Sequence, residues 1–138
     1  MSLVHFDAHS DTWPDTDEGA QSISHGTMFY YAAKQGLVDP SRSVQIGLRT
    51  TNDDVMGFQV LDARQVHRSS PEQIAELIRA RVGDNPVCLT CDIDCLDPAF
   101  APGAGTPLRV ARAQQPMKPK FALNVLSKLM FERRCGFV

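Results

Sequence analysis

The 138-residue sequence lacks long hydrophobic runs, and it contains only four cysteines and one tryptophan. No apolar segment approaches the ~18–20 residues that a membrane-spanning helix needs, so we expect no membrane partner. The first residues show no basic segment followed by a long apolar stretch, so we expect no secretory signal. We therefore predict a cytoplasmic location. Hydrophobic residues make up 43% and charged residues 22%, as in ordinary globular domains. We therefore expect one folded domain.

Two of the cysteines, Cys88 and Cys91, have the C-x-x-C spacing of a zinc or redox pair. They fall in the apolar segment 87–93, which is typical of a buried strand. Side chains alternate between the faces of a strand, so residues three apart point in opposite directions and cannot share an ion. We interpret both cysteines as small, buried hydrophobic side chains.

The net charge of −2 hides an uneven distribution of charge along the chain. Residues 1–108 contain 7 basic and 15 acidic side chains, whereas residues 109–138 contain 7 basic side chains and Glu132 alone. Such a shift predicts a boundary near residue 108. The basic end could be an arm that binds nucleic acid, but we favour a solvated tail. Its segment 121–131 has the apolar spacing of a helix, which can also arise by chance.

Strands and helices are predicted to alternate along the chain. We predict strands at 3–6, 44–48, 58–61 and 87–93, and helices at 28–35 and 71–82. The second helix has the strongest start and stop signals, namely Ser70, Pro71, Gln73 and Gly83. Alternation of this kind indicates right-handed crossovers between parallel strands, and hence an α/β fold.

Acidic residues and one histidine follow the first and the last predicted strands. Asp7, His9 and Asp11 are spaced by two, as are Asp92 and Asp94, so each set projects to one side of an extended chain. Ligands of α/β sheets bind beyond the carboxyl ends of the strands, which brings both sets to one rim. Four carboxylates there repel one another unless cations neutralise them. Either cluster alone could be a surface turn, but the two together predict a site for Mn²⁺ or a similar divalent ion.

Two segments resemble signature motifs of the arginase/agmatinase ureohydrolases: VHFDAHSD at 4–11 and DIDCLDPAFAPG at 92–103. The stretches 25–29 and 45–50 resemble the agmatinase branch of this family, and the similarity extends over residues 2–107. The resemblance implies a three-layer αβα fold with a mainly parallel sheet, incomplete in this chain. It also implies a dinuclear Mn²⁺ centre, a small guanidino substrate and assembly as a homo-oligomer.

The resemblance implies a role for each motif residue. Asp7 and Asp92 would bridge the two Mn²⁺ ions, Asp11 would complete the shell of one ion, and His9 and Asp94 that of the other. The activity implied is hydrolysis of the guanidino group of agmatine to urea and putrescine, a reaction of polyamine synthesis, by water that the two ions activate.

Histidines outside the metal motif have weaker assignments. His25 matches the family histidine beside the substrate and would carry a proton to the leaving amine; alternatively it makes a structural hydrogen bond at a helix start. We interpret His5 as a satisfied core histidine and His67 as an exposed residue in a polar turn. The loop 12–24 lies at the predicted rim, where its acids, Asp15, Asp17 and Glu18, could attract a cationic substrate or be merely solvated.

The sequence also departs from the family. The family places a further histidine ligand upstream of the strand that opens this sequence, so one of the two metal sites is expected to lack a ligand. Residues after Pro107 are unlike the family, and its substrate-contacting glutamate near the C-terminus is absent. We therefore predict a partial ureohydrolase catalytic domain at 1–107 and a basic tail at 108–138, produced by an internal start and a frame change. The alternatives to agmatine hydrolysis are an inactive fragment with partial metal binding and a ureohydrolase for another guanidino acid such as guanidinobutyrate.

Overall fold

A computed structural model describes residues 1–14, 23–105 and 117–131. Its elements, in chain order, are β1 (Ser2–Phe6), α1 (Met28–Lys34), β2 (Val44–Leu48), β3 (Gln59–Asp62), α2 (Ala63–Arg68), α3 (Pro71–Val82), β4 (Val87–Cys91) and α4 (Pro119–Phe131). Short 3-10 turns at Pro40–Arg42 and Ile93–Cys95 precede β2 and follow β4.

The four strands form one sheet in the order β3-β2-β1-β4, and every neighbouring pair is parallel. The predicted α/β class with a mainly parallel sheet is thereby confirmed. All five residues of β1 are buried, because β2 and β4 pair with its two edges and its side chains pack into core clusters on both faces of the sheet. Phe6, the last residue of β1, is in register with Cys91 at the end of β4. The carboxyl ends of these two strands therefore lie side by side.

The predicted helix 71–82 is confirmed, with the capping arrangement that its sequence indicates. The Ser70 hydroxyl accepts a hydrogen bond from the Gln73 amide at 3.3 Å, and the Gln73 side chain accepts one from the Ser70 amide at 2.8 Å. Gly83 ends the helix. Ile74 and Ile78 are buried on the face toward the sheet, so the apolar stripe has the predicted role.

The expectation of a fully buried strand at 87–93 is wrong. Strand β4 ends at Cys91, its residues are half-buried or exposed, and Ile93 in the following turn is 57% exposed. Over the described residues, β4 pairs only with β1 and forms an edge of the sheet. A continuous apolar run reads as a strand covered on both sides, and it gives no information on whether a neighbouring strand is present.

Helix α2 (Ala63–Arg68) was not predicted. Asp62 ends β3 and also caps this helix, because its carboxylate accepts a hydrogen bond from the Gln65 amide at 2.8 Å. His67 lies in α2 and not in a polar turn, although it is exposed as expected.

Helix α4 confirms that the apolar spacing of 121–131 suits a helix. Ala122, Val125 and Leu129 are buried in the same core cluster as Ile74 and Ile78 of α3. Arg79 of α3 donates a hydrogen bond to the carbonyl of Lys128 at 2.6 Å, and the Lys128 ammonium lies 3.0 Å from Glu72. Apolar packing and polar contacts together hold α4 against α3. Among the described helices, none has the length and hydropathy of a membrane span.

Candidate metal centre

The predicted acidic clusters meet at the carboxyl edge of the sheet, beyond β1 and β4. Two groups of side chains there have ligand atoms that all lie within 4.8 Å of one another: Asp7, His9 and Asp94 in the first group, and His5, Asp7 and Asp11 in the second. Asp7 belongs to both. A single carboxylate from the end of the central strand therefore joins two adjacent candidate cation positions.

The first group links the ends of two neighbouring strands. His9 Nδ1 lies 2.8 Å from Asp94 Oδ2 and 3.4 Å from Asp7 Oδ1. Asp7 and Asp94 are 2% and 3% exposed, so both carboxylates are withdrawn from bulk water. Buried carboxylates require compensating charge or hydrogen bonds, and this group offers two carboxylates and one imidazole to a cation.

The second group is also buried and lies directly beside the first. His5 Nε2 lies 3.2 Å from Asp7 Oδ2, and both side chains are almost fully buried. Asp11 has a left-handed backbone conformation, with φ of 53°, and is 8% exposed. Non-glycine residues adopt this conformation rarely and at an energetic penalty.

Backbone amides hold the carboxylates in place. The amide of His9 donates to Asp7 Oδ1 at 2.7 Å, and the amide of Ala8 donates to Asp94 Oδ1 at 3.0 Å. The buried guanidinium of Arg49 donates to the Asp94 carbonyl at 2.6 Å and to the Cys95 carbonyl at 3.3 Å. Arg49, the residue after β2, thus holds the turn after β4 in place. This supporting role was not predicted from the sequence.

The environment changes the pKa values of the three buried carboxyl groups. Burial raises the pKa of Asp7, but the His5 ring and the His9 amide outweigh it, so that the pKa of Asp7 is lowered overall. Burial raises the pKa of Asp94 despite the hydrogen bond from Ala8. Burial and the neighbouring Asp7 charge raise the pKa of Asp11 to about 6. Crowding of acids at one rim opposes their simultaneous ionisation, and a bound cation relieves that opposition.

Asp92 stands apart from the two groups. Its side chain is exposed, and its carboxylate accepts a hydrogen bond from the Asp94 amide at 2.9 Å, which caps the 3-10 turn after β4. It belongs to neither group of candidate ligands. Its role as a bridging ligand stays a prediction.

His25 is exposed near the rim, at the start of the segment that leads into α1. Hydrogen bonds from the Trp13 amide to the Gly26 carbonyl at 3.1 Å, and from the Phe29 amide to the Asp11 carbonyl at 3.0 Å, tie this segment to the metal motif. The Trp13 ring meets the His9 ring edge-on at a centroid distance of 6.3 Å. The acids of the loop, Asp15, Asp17 and Glu18, lie outside the described residues.

The interpretation of Cys88 and Cys91 as buried hydrophobic side chains is wrong. Cys88 is half-buried and Cys91 is exposed, because β4 is an edge strand. A hydrogen bond from the buried thiol of Cys95 lowers the pKa of Cys91 to about 7. Neither candidate metal group in the described part of the chain contains a cysteine.

The donor atoms at the rim fit divalent cations. Buried carboxylate oxygens and imidazole nitrogens are the ligands that Mn²⁺ and similar ions accept. The Nε2 atom of His5 is buried and has no hydrogen-bond partner among the described residues. A cation would satisfy it.

Comparison with known proteins agrees with the motifs. The family model described as "Arginase family" matches residues 1–110. An agmatinase of Chromobacterium violaceum is 55% identical over 108 residues, which are 78% of this chain and 33% of that protein. The chain thus spans about a third of the length of the curated relatives it matches.

Solved structures extend the similarity. A structure of a hypothetical agmatinase from Burkholderia thailandensis matches with a TM-score of 0.84 and 51% identity, over 94% of this chain and 39% of that one. Proclavaminate amidino hydrolase from Streptomyces clavuligerus matches with a TM-score of 0.80 and 38% identity, over 91% of this chain and 41% of that one. The paired strand ends, the acidic motifs and these matches lead to one conclusion: the chain belongs to the arginase family.

Proposed function

We propose that this chain carries the metal-binding core of an enzyme that hydrolyses the guanidino group of agmatine to urea and putrescine, with Mn²⁺ as the metal. The observation that carries the proposal is that the ligand atoms of Asp7, His9 and Asp94 all lie within 4.8 Å of one another. The names of the relatives support agmatine as the substrate, since the matched proteins are called agmatinases.

The chain's own residues have distinct tasks in this reaction. Asp7, His9 and Asp94 would hold the metal, and Asp7 belongs to both candidate groups of ligands. When bound, divalent ions supply water with a lowered pKa, which is nucleophilic at neutral pH. The acids of the loop 12–24, namely Asp15, Asp17 and Glu18, would attract the guanidinium group of the substrate. His25, exposed beside the motif, supplies the proton that the leaving amine requires.

A second candidate function is metal binding without turnover. It is favoured by the position of Asp92, whose carboxylate caps a turn and belongs to neither ligand group. The chain also spans about a third of the length of its curated relatives.

Urea release separates the two candidates. The purified chain is incubated with agmatine or guanidinobutyrate, with and without Mn²⁺, and urea is measured against Asp94→Asn. Mn²⁺-dependent urea from agmatine, reduced by the substitution, is the expected result. Faster turnover of guanidinobutyrate would reassign the substrate. Mn²⁺ binding without urea above the buffer level would contradict catalysis and support the second candidate.

The resemblance also bears on the setting of the reaction. Putrescine as the product places the enzyme in polyamine synthesis, and we propose a cytoplasmic homo-oligomer. Light scattering of the purified chain after gel filtration tests the oligomeric state, and a monomer at all concentrations would contradict it.

A further inference from the structure

We propose that His5 is a metal ligand: its Nε2 atom, with the carboxylates of Asp7 and Asp11, holds a divalent cation at the carboxyl end of β1. This inference rests on the proposed metal centre and adds to it a ligand that lies outside the predicted set. The sequence favours a satisfied core histidine at this position. The structure confirms that His5 is in the core, at 1% exposure, but it satisfies only one of the two ring nitrogens.

The His5 ring is held in a fixed orientation by its neighbours. Nδ1 lies 2.6 Å from the hydroxyl of Thr90, the residue opposite His5 in the register of β1 and β4. The edge of Phe29 packs against the ring, with centroids 4.8 Å apart and planes at 68°. Histidines that bind metals characteristically use one nitrogen for a hydrogen bond of this kind, which leaves the other for the ion.

The second nitrogen points at a carboxylate without making a hydrogen bond. His5 Nε2 lies 3.2 Å from Asp7 Oδ2, yet the contact lacks hydrogen-bond geometry, and no other described residue satisfies the nitrogen. Leaving a buried polar atom unsatisfied destabilises the fold. A proton on Nε2 faces Asp7 and lowers its pKa, whereas in the tautomer in which Nδ1 donates to Thr90 a lone pair on Nε2 faces the negative Asp7. A cation between the two atoms turns this repulsion into two favourable bonds.

Asp11 completes the group. Its carboxyl atom lies within 4.8 Å of the ligand atoms of both His5 and Asp7. Divalent ions bind nitrogen and oxygen ligands at about 2 Å, so two ligands of one ion are at most about 4 Å apart. A small contraction of the group would therefore enclose an ion. The backbone of Asp11 has a φ of 53°, a conformation that is rare for residues other than glycine and that clusters at binding sites.

The competing explanation is a structural ion pair, in which a protonated His5 neutralises Asp7. The two explanations differ in what a metal does to the ring. If Nε2 is a ligand, its ¹⁵N resonance shifts when the ion binds. If Nε2 belongs to an ion pair, it keeps its proton and its contact with Asp7, and its resonance does not shift.

The test uses the complete chain and Zn²⁺, which is diamagnetic and accepts the same donors. The chain is labelled with ¹⁵N in histidine, and the ring resonances are followed as Zn²⁺ is added. We expect Nε2 of His5 to shift in addition to a ring nitrogen of His9. A shift of His9 alone would overturn the role of His5 and leave the proposed metal centre standing. No shift in either ring would overturn both.

Substitution of Thr90 provides a second test that leaves the ligand in place. Thr90→Val removes the hydroxyl that orients His5, and we expect weaker binding of one Zn²⁺ by about 10–100-fold. Thr90→Ser keeps the hydroxyl and should bind as the unsubstituted chain does. His5→Gln should abolish binding of that same ion, while His67→Gln, at an exposed position of α2, should leave Zn²⁺ binding unchanged. Calorimetry measures the affinities. Equal Zn²⁺ affinities in Thr90→Val, Thr90→Ser and the unsubstituted chain would contradict the proposal.

Discussion

His9 Nδ1 lies 2.8 Å from Asp94 Oδ2. This contact joins the segments after β1 and β4, which are remote in sequence but adjacent in the sheet because the two strands pair in parallel. Asp94 also accepts a hydrogen bond from the Ala8 amide at 3.0 Å. Asp94 is thus attached to the β1 motif through both a side chain and the backbone, and it can bring the two halves of the site together before any ion binds.

Asp94→Asn separates the charge of this residue from its structural role. The amide oxygen can still accept the Ala8 hydrogen bond, but the charge that attracts a cation is lost. We expect Mn²⁺ affinity to fall by at least about 10-fold, with little change in the free energy of unfolding without metal. Asp97→Asn is the matched control, since Asp97 caps a neighbouring turn and belongs to neither ligand group. Equal Mn²⁺ affinities of the two variants by calorimetry would contradict the assignment.

Gly47 allows β2 to pass close beneath the metal motif. Its φ is +95°, and a methyl group there would lie 3.3 Å from the Asp7 carbonyl oxygen. We expect Gly47→Ala to lower the free energy of unfolding by about 2–3 kcal/mol and to weaken Mn²⁺ binding by displacing Asp7. Gly36→Ala has φ strain, at +71°, but no atom within 4 Å, and should lower stability by only about 1 kcal/mol with unchanged Mn²⁺ binding. Urea unfolding compares the two; equal losses would show that the contact is unimportant.

Val125 tests whether α4 is part of the folded core. Its side chain is fully buried against the cluster that contains α3, whereas Leu123 of the same helix is 65% exposed. We expect Val125→Ala to lower the free energy of unfolding by about 2 kcal/mol, and Leu123→Ala to change it by less than about 0.5 kcal/mol. Thermal and urea unfolding measure both. If the two substitutions have the same effect, α4 does not pack on α3 in solution.

Glu72 gives a pH-dependent measure of the same helix contact. A hydrogen bond from Lys128 lowers the pKa of Glu72 to about 2 from its ordinary value of 4.5. A lowered pKa means that the ionised form is favoured by folding, so its stabilising effect is present above pH 4.5 and is lost as the pH falls through about 2. NMR titration of the Glu72 carboxyl carbon should show this pKa, and Lys128→Met should raise it toward the ordinary value. A Glu72 pKa that is unchanged in Lys128→Met would contradict the contact.

Periodicity and local signals predicted most of the secondary structure. The capping box at Ser70 and the terminal Gly83 gave the bounds of α3, because caps are local and depend on a few adjacent residues. The buried face of β1 followed from its apolar residues. The apolar residues of β4 wrongly predicted a buried strand. Apolar residues show that a strand can be buried, but they do not show whether other parts of the fold cover it. Helix α2 was missed because one residue, Asp62, both ends a strand and caps the helix.

The rim of the sheet was predicted in outline but not in its contacts. Spacing by two placed Asp7, His9 and Asp11 on one side, and parallel pairing brought Asp94 to them. His5 and Asp7 are also spaced by two, which would have placed His5 on the same side as the predicted ligands. We nevertheless interpreted His5 as a core histidine, because it lies within the predicted strand. Arg49 was not predicted as a support for Asp94, because the carbonyl groups that it contacts depend on three-dimensional packing.

Helix α4 lies beyond residues 1–110, the range that the family model matches. The solved Burkholderia structure nevertheless matches 94% of the chain, a share that includes residues beyond 110. Helix α4 packs on α3 through apolar side chains at the spacing of Ala122, Val125 and Leu129. Protein cores accept many sequences that keep such a pattern. The position beside α3 therefore constrains the apolar pattern of α4 more than its exact sequence.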